Sequence, residues 1–583
     1  MARKRIGSQA LPHTGAYPPA GKTRVLELPQ LEEAGARTHL NRLFLMVVLA
    51  SGYLLVWSTV STSIDSVEPG VLSMARLLPF TYWAGFALLL ASTIIWYFSG
   101  ETKVFHLLLV ALWMGYVFLG PELMEAHPRG VSSYAQAWGI AYVLDGRGAE
   151  FYYSPWLGFH SAFGGLVSIT GVVHLAMMRI GIGVLYLALA VALIALFRRV
   201  LPDRKSTLLA TLTALTMVAV LGVGFTPHQL AFVLMLFAFA ILARPQTSSV
   251  VNRFMLIVLF CSILITHALS ALIVVYVTAM AALVRSKRLG VGPWSASTAS
   301  LSLLFAVLFV AWLMYSSDFW FPNVVTTFRD TVLREPTAFI SPFSHVTPAR
   351  AGAGRPEVSF LVFAFLAVLL AWLVTVVASR RFWNGLGRDR LFPLLAVSGL
   401  PILVIGTGSF SFEAFFRVFL YAIPFLAWFL ARESAARRSA AAFLLALLGV
   451  GFVLLYAREF EELPTSPEFA GANFLVEATP PNVAVIQGEC LPLAAITNTI
   501  EAPYTACLSR KSDQPEPGLY GLSDQFSFVV LSELGERTAG FAFGGGPFEV
   551  LRDAVQDPMY GKIYSNGGYD VYVNHHLDVN RPR

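Results

Sequence analysis

FMLIVLFCSILITHALSALIVVYVTAMAALV, residues 254–284, is an apolar run interrupted at its middle by Thr266-His267-Ala268-Leu269-Ser270. The hydrocarbon core of a bilayer takes about twenty helical residues. The run is therefore too long for one comfortable crossing and too short for two full ones. Charge decides between them. Arg244 and Arg253 precede the run, and Arg285, Lys287 and Arg288 follow it. Basic residues gather at cytoplasmic helix ends, so both ends lie on one side and the number of crossings is even. Two short helices follow, with the turn at the polar interruption.

The rest of the chain extends the pattern. Further apolar runs lie at 43–63, 80–98, 104–119, 174–197, 207–223, 230–242, 300–315, 360–378, 391–405, 415–430 and 440–456. The composition agrees: 56% hydrophobic and 13% charged residues, with a mean hydropathy of +0.65. The fold class is an all-α polytopic membrane protein of about thirteen transmembrane helices, because a β-barrel would show short alternating segments. The net charge of +6 sits mainly in short loops, where it sets orientation. The implied partner is the lipid bilayer and not nucleic acid. Residues 1–41 are basic, rich in Pro and Gly, and lack an apolar core, which describes a disordered cytoplasmic tail and not a cleavable signal peptide. With the N-terminus inside, an odd span count places the C-terminus outside, in a multi-pass plasma-membrane protein. The transmembrane domain covers 42–457, with large outer loops at 120–173 and 316–358.

From Glu459 the composition turns soluble-like. NVAVIQG and FSFVVLS read as short buried strands, GKIYSNGGYDVYVN as a hairpin with an Asn-Gly-Gly turn, and 548–555 as a helix. Residues 458–583 thus form a small extracytoplasmic α/β domain without a phosphate loop or nucleophile elbow. Cys261 lies within an apolar run as a packing residue, while Cys490 and Cys507 either pair outside the cell or stay free.

The outer segment 120–173 concentrates the candidate chemistry. It carries Glu122, Glu125, Asp145 and Glu150, histidines His127 and His160, and the aromatic group Tyr152, Tyr153 and Trp156. A carboxylate in a partly dry site can deprotonate an acceptor hydroxyl; in water the same groups are only solvated loop acids. The stretch from Tyr152 is an interfacial helix that clamps a lipid tail or sugar ring, or serves as an aromatic belt. Glu413 and Arg417, four apart in SFSFEAFFRVFLYAIPF, are costly at a membrane boundary. Arg417 offers a fork suited to phosphate, or the two form an orienting ion pair. His228, in TPHQ, and His267, in ITHALS, fall at outer turns and join His160 as candidates for one cavity mouth. The loop 316–358 adds Arg329, Arg334, Arg350 and Arg355.

A polar outer loop leading into an aromatic-Pro-Trp-x-x-Phe segment and ITGV, then FTPHQLAF, THALS and EAxxRVxLYxxPF, resembles the polyprenyl-phosphate-dependent, GT-C-type membrane glycosyltransferases. The resemblance covers roughly 120–456 and rests on topology and short motifs. It implies inverting transfer of a sugar from a polyprenyl-phosphate-linked donor, on the outer face, to an envelope lipid, glycan or protein. It also implies an acidic base in the first large outer loop, with a divalent cation (Mg or Mn) in some members, and association with other envelope-biosynthesis proteins. Where the family reads Asp-x-x-x-His, this chain has Ser132-Ser133-Tyr134-Ala135-Gln136. The base is then Glu122, Glu125, Asp145 or Glu150, or Asp65 or Glu68 of the shorter first loop; otherwise the chemistry has been lost. Arg417, Glu413, His267, His228, Trp156 and His160 are the expected substrate contacts.

Two other classes have many spans. A glycan polymerase or ligase would use the arginines of 316–358 and no acidic base. A transporter would show paired repeats and broken mid-membrane helices, and no duplicated half is visible here. A scaffold that keeps the fold without the chemistry is the remaining alternative.

Overall fold

The computed structural model describes residues 30–65, 73–99, 103–128, 131–146, 156–201, 203–220, 224–243, 249–288, 293–315, 411–435, 441, 444, 445, 447–449, 465–478, 484–487, 504–507, 528–533, 535, 536 and 551–575. Its contacts divide the chain into two units, 1–47 and 48–583. The described part of the first unit is helical and belongs to α1 (Gln30–Ser61). The tail expected over 1–41 is thus helical from Gln30. Leu31, Glu32, Glu33, Ala34, Ala36 and Arg37 are good helix formers, and they extend a helix that the apolar span already nucleates.

In the second unit α2 (Phe80–Ser99) and α3 (Lys103–Met114) lead into a π turn, Gly115–Leu119, and α4 (Gly120–Met124). The third span was expected to end at Leu119, but it runs on to Met124. Pro121 is tolerated because it falls at the first turn of α4, where its missing N–H is not needed. The π turn is held by Tyr116, whose hydroxyl donates to the Ser51 carbonyl at 2.7 Å. Gly85 allows that approach, since a Cβ there would stand 2.0 Å from the Tyr116 hydroxyl.

Next come α5 (Val131–Leu144), α6 (Leu157–Thr170), α7 (His174–Val200), α8 (Arg204–Val220) and α9 (Pro227–Leu242). The opening run becomes α10 (Val250–Thr266) and α11 (Ala268–Arg288), broken at His267 as its polar interruption implies. The next described helix after α12 (Pro293–Tyr315) is α13 (Ser411–Ala435). The outer loop 316–358 and the expected spans at 360–378 and 391–405 lie outside the described residues.

Among the described residues, Asn41–Ser61, Phe80–Phe98, Phe105–Met124 and Ala176–Val200 are long and apolar enough to cross a membrane, while α6, α9 and α10 are apolar but shorter. Val250, Val251, Phe254, Met255 and Val258 are all exposed along α10, a contiguous apolar face that suits lipid and not water. The chain is a helical membrane protein. Its buried α8 is rich in threonine, and Thr211, Thr213 and Thr216 return their hydroxyls to carbonyls four residues back. Thr216 also accepts the Trp113 indole N–H at 3.0 Å, so the polar atoms of this helix are satisfied within the apolar interior.

The C-terminal region opens with α14 (Ser466–Ala478). Its sheet holds β1 (Ala484–Gln487), β2 (Tyr504–Cys507), β3 (Phe528–Ser532), β4 (Tyr560–Ser565) and β5 (Tyr569–Asn574). The order is β2-β1-β3-β5-β4, with β1 parallel to β2 and β3, and β5 antiparallel to β3 and β4. The hairpin turns at Asn566-Gly567-Gly568, where Gly567 takes a φ of 88° that favours glycine. Residues 551–554 form the described part of the helix expected at 548–555. Strand β2 was not anticipated. Cys490 lies outside the described residues, and Cys507 closes β2.

Candidate functional site

Two groups of polar side chains gather at one end of the helical bundle, and one short contact joins them. The first is built on α4. Glu122 and Glu125 are each only 3% exposed, in spite of lying in what the sequence presents as an outer loop. Their burial follows from the segment's backbone pairing. Ile64 N–H donates to the Met124 carbonyl at 2.7 Å, and Ala126 N–H returns to the Ile64 carbonyl at 2.8 Å. Residues 124–126 are thereby stitched to the turn after α1.

Arg179, on α7, spans the same segment and donates from Nη2 to the carbonyls of Glu125 and Ala126 at 2.7 and 2.6 Å. Tyr134, on α5, closes the group, its hydroxyl donating to the Pro128 carbonyl at 2.7 Å. Burial, then the charge of Glu122, pushes that hydroxyl well above its ordinary pKa; Arg179 opposes this, while Glu125 and Glu468 add to it. Tyr134 is therefore a permanent neutral donor beside buried carboxylates.

The rim of this group is shared with α14. Ser466 donates to Asp65 Oδ1 from its backbone N–H at 3.1 Å and from its hydroxyl at 2.5 Å. His127 Nε2 is hydrogen-bonded to the same hydroxyl at 2.9 Å, and the His127 ring stacks on Phe469 with centroids 3.8 Å apart. Glu468, fully buried, accepts the Thr465 N–H at 2.8 Å. That is one half of a capping box at the start of α14, so Glu468 has a structural task.

The second group sits where α9 begins and where α10 gives way to α11. His267 takes an extended backbone, φ −161° and ψ 105°, and its Nδ1 hydrogen-bonds Ser270 Oγ at 2.9 Å. Ser270 Oγ in turn lies 2.6 Å from the Tyr421 hydroxyl on α13. His228 meets His267 with ring centroids 5.9 Å apart and is held at 3.1 Å by Thr226, the residue before α9. Beside it Gln229 is fully buried. Neither end of its amide has a hydrogen-bond partner among the described residues. Histidines, a tyrosine, a serine and an unused amide thus face the N-terminus of a 16-residue helix, the end that carries partial positive charge.

Ser133 joins the two groups by accepting the Phe225 N–H at 3.0 Å. It precedes Tyr134 of the first group by one residue, and Phe225 precedes His228 of the second by three. Helix α7 supports both, because Arg179 binds the first, and Gly181 leaves room for the Phe225 ring, which a Cβ there would meet at 2.3 Å.

The expected site residues divide accordingly. Glu122 and Glu125 are brought together, and so are His228 and His267. His160 belongs to neither group; it is buried and bonded to Gln136 Oε1 at 2.8 Å, between α5 and α6. Trp156 is half-buried just ahead of α6, and Asp145 is exposed at the end of α5. Glu150 lies outside the described residues. Glu413 and Arg417 contribute backbone to α13, and Arg417 stands one helical turn before Tyr421.

Ser133, Tyr134 and Gln136, which occupy the resemblance's Asp-x-x-x-His positions, all make structural hydrogen bonds. Gln229, Tyr421 and Arg179 were not singled out from sequence, although a Gln in the first turn of an apolar helix was a readable signal. Among the described residues no three His, Cys, Asp or Glu side chains are grouped to hold a metal ion. The divalent cation that the resemblance implies is therefore not assigned a set of ligands here.

No family model matches the chain, and no curated protein matches it. Among solved structures the chain matches the Archaeoglobus fulgidus oligosaccharyltransferase in complex with Zn and sulfate. The TM-score is 0.48 and the identity 11%, over 80% of this chain and 73% of that one.

Proposed function

We propose that this protein is a membrane glycosyltransferase that moves a sugar from a polyprenyl-phosphate donor to an envelope lipid, glycan or protein on the outer face. One observation carries the reading: a buried carboxylate pair, Glu122 and Glu125, is joined through Ser133 and Phe225 to a helix N-terminus lined with His228, Gln229 and His267. The first group supplies a base and the second holds an anion.

In the reaction a carboxylate of the pair takes the proton of the acceptor hydroxyl. The acceptor oxygen forms a bond to the anomeric carbon as the carbon–oxygen bond to phosphate breaks, and the electron pair leaves on the phosphate oxygen. Charge growing there is met by the α9 N-terminus and by the histidine and amide donors, with Arg417 as the expected further contact to the phosphate. Arg179 ties the segment down through the backbone carbonyls of Glu125 and Ala126. Burial of the pair excludes water, which would otherwise compete as acceptor.

The test is transfer by membranes carrying Glu122→Gln, Glu125→Gln or both, with lipid-linked sugars and envelope glycans followed by mass spectrometry. At least one single variant is expected to lose about a hundredfold or more in transfer while inserting at the wild-type level. Full transfer by the double variant would overturn the assignment of the base.

A further inference from the structure

The opposite end of the bundle holds a second polar constellation. Trp96, in the last turn of α2, and His106, in the first turns of α3, are 2% and 3% exposed. Their rings meet edge to face with centroids 5.9 Å apart. Neither Trp96 Nε1 nor His106 Nε2 has a hydrogen-bond partner among the described residues. A buried indole N–H without an acceptor is costly, and two such atoms side by side in a membrane protein mark a place where an acceptor belongs.

The surroundings specify that acceptor. Arg198 and Arg199 end α7, and Arg204 and Lys205 begin α8. Arg198 and Arg204 lie within electrostatic reach of His106. Trp428 donates to the Val200 carbonyl at 3.4 Å and carries Arg432 over its ring at 5.5 Å, which adds a fifth cation at this end. Asp203, between the two basic pairs, has both its oxygens taken by Ser206, at 2.8 Å from the backbone N–H and 2.7 Å from the hydroxyl. Arg198, Arg199, Arg204, Lys205 and Arg432 against Asp203 make these six residues strongly cationic, next to the N-terminus of the 17-residue α8.

Charges that only orient a chain need no buried donors beside them. We propose that this end, which the arginine distribution assigns to the cytoplasm, binds the phosphate headgroup of an anionic phospholipid. The arginines would draw in the headgroup, and Trp96 and His106 would donate to its oxygens. The site is separate from the proposed transfer site and does not depend on it.

Native mass spectrometry of the full-length protein in detergent tests this, with phosphatidylglycerol, phosphatidylcholine and inorganic phosphate as probes. Phosphatidylglycerol should bind at least about tenfold more tightly than phosphatidylcholine, and Arg198→Gln with Arg204→Gln should weaken it about thirtyfold, at roughly one unit of surface attraction per cation. Trp96→Phe, which keeps the ring and removes the N–H, should weaken phosphatidylglycerol alone without lowering the Tm. His106→Phe should do the same. Equal binding of the two lipids, or unchanged phosphatidylglycerol binding in both ring variants, would overturn the proposal. Displacement of the lipid by an equal concentration of inorganic phosphate would also overturn it, in favour of a free-phosphate site.

Discussion

Replacing Gln229 by Met separates a side chain that serves the fold from one that waits for a ligand. Gln229 is fully buried, and its amide has no partner at either end among the described residues. An amide taken out of water without compensation costs about 1–3 kcal/mol. Met has nearly the same length and volume, suits a helix about as well, and removes the cost. The variant should therefore unfold at a higher temperature than the wild type. If the amide is kept to contact the donor phosphate, the same change removes a hydrogen bond to a charged group, worth about 1.5–3 kcal/mol. Affinity for polyprenyl monophosphate should then fall roughly ten- to a hundredfold. Both quantities can be read on purified full-length protein in detergent, from thermal unfolding and from ligand titration by the shift in Tm. A lower Tm with unchanged affinity would refute the reasoning, because it would mean that the amide is satisfied within the fold and touches no ligand.

The neighbouring contacts yield further expectations. Arg417→Ala should abolish transfer while the protein still inserts, as read by glycan mass spectrometry and by membrane yield; full activity would remove Arg417 from the donor site. A Cβ on residue 139 would stand 2.5 Å from His160 Nε2, so Gly139→Ala should destabilise by about 1–3 kcal/mol. Adding His160→Ala should recover part of that loss in thermal unfolding, and a failure to do so would place the clash elsewhere. Burial, the largest influence, holds the His127 imidazole below its ordinary 6.5; Arg179 acts in the same direction and Asp65 against it. Its folded pKa being lowered, the contact with Ser466 and Phe469 should be fully stable above pH 6.5. It should weaken as pH falls below that value, because the undocked state takes up the proton first. Amide exchange over 466–469 should accelerate on acidification in the wild type and lose that dependence in His127→Gln.

Sequence reading reached the features whose cause is local. The helix break at His267 was legible because Thr266, His267 and Ser270 offer the backbone side-chain partners that compete with helical hydrogen bonds. That competition is visible as Ser270 N–H donating to His267 Nδ1 at 3.3 Å. The Asn566-Gly567-Gly568 turn was legible for the same kind of reason. Strand β2 was not, since Tyr504–Cys507 has neither length nor alternation and owes its conformation to its parallel neighbour β1. The extension of the third span was hidden by Gly120-Pro121, a pair that reads as an ending but here opens a new helical turn.

The carboxylates show where local reading stops. Nothing adjoining Glu122 and Glu125 in the sequence announces that they are buried. The segment is paired to Ile64 and spanned by Arg179, which stands 54 positions from Glu125. Asp145, equally acidic and nearer the aromatic cluster, stands exposed at the end of α5. A list of acids in a loop therefore ranks them equally, although their chemistry differs. Burial and neighbouring charge govern what a carboxylate can do, and Glu122 and Glu125 are buried while Asp145 is exposed. The proposed mechanism therefore takes its base from the two buried glutamates and not from Asp145, a choice that depends on contacts between segments far apart in the chain.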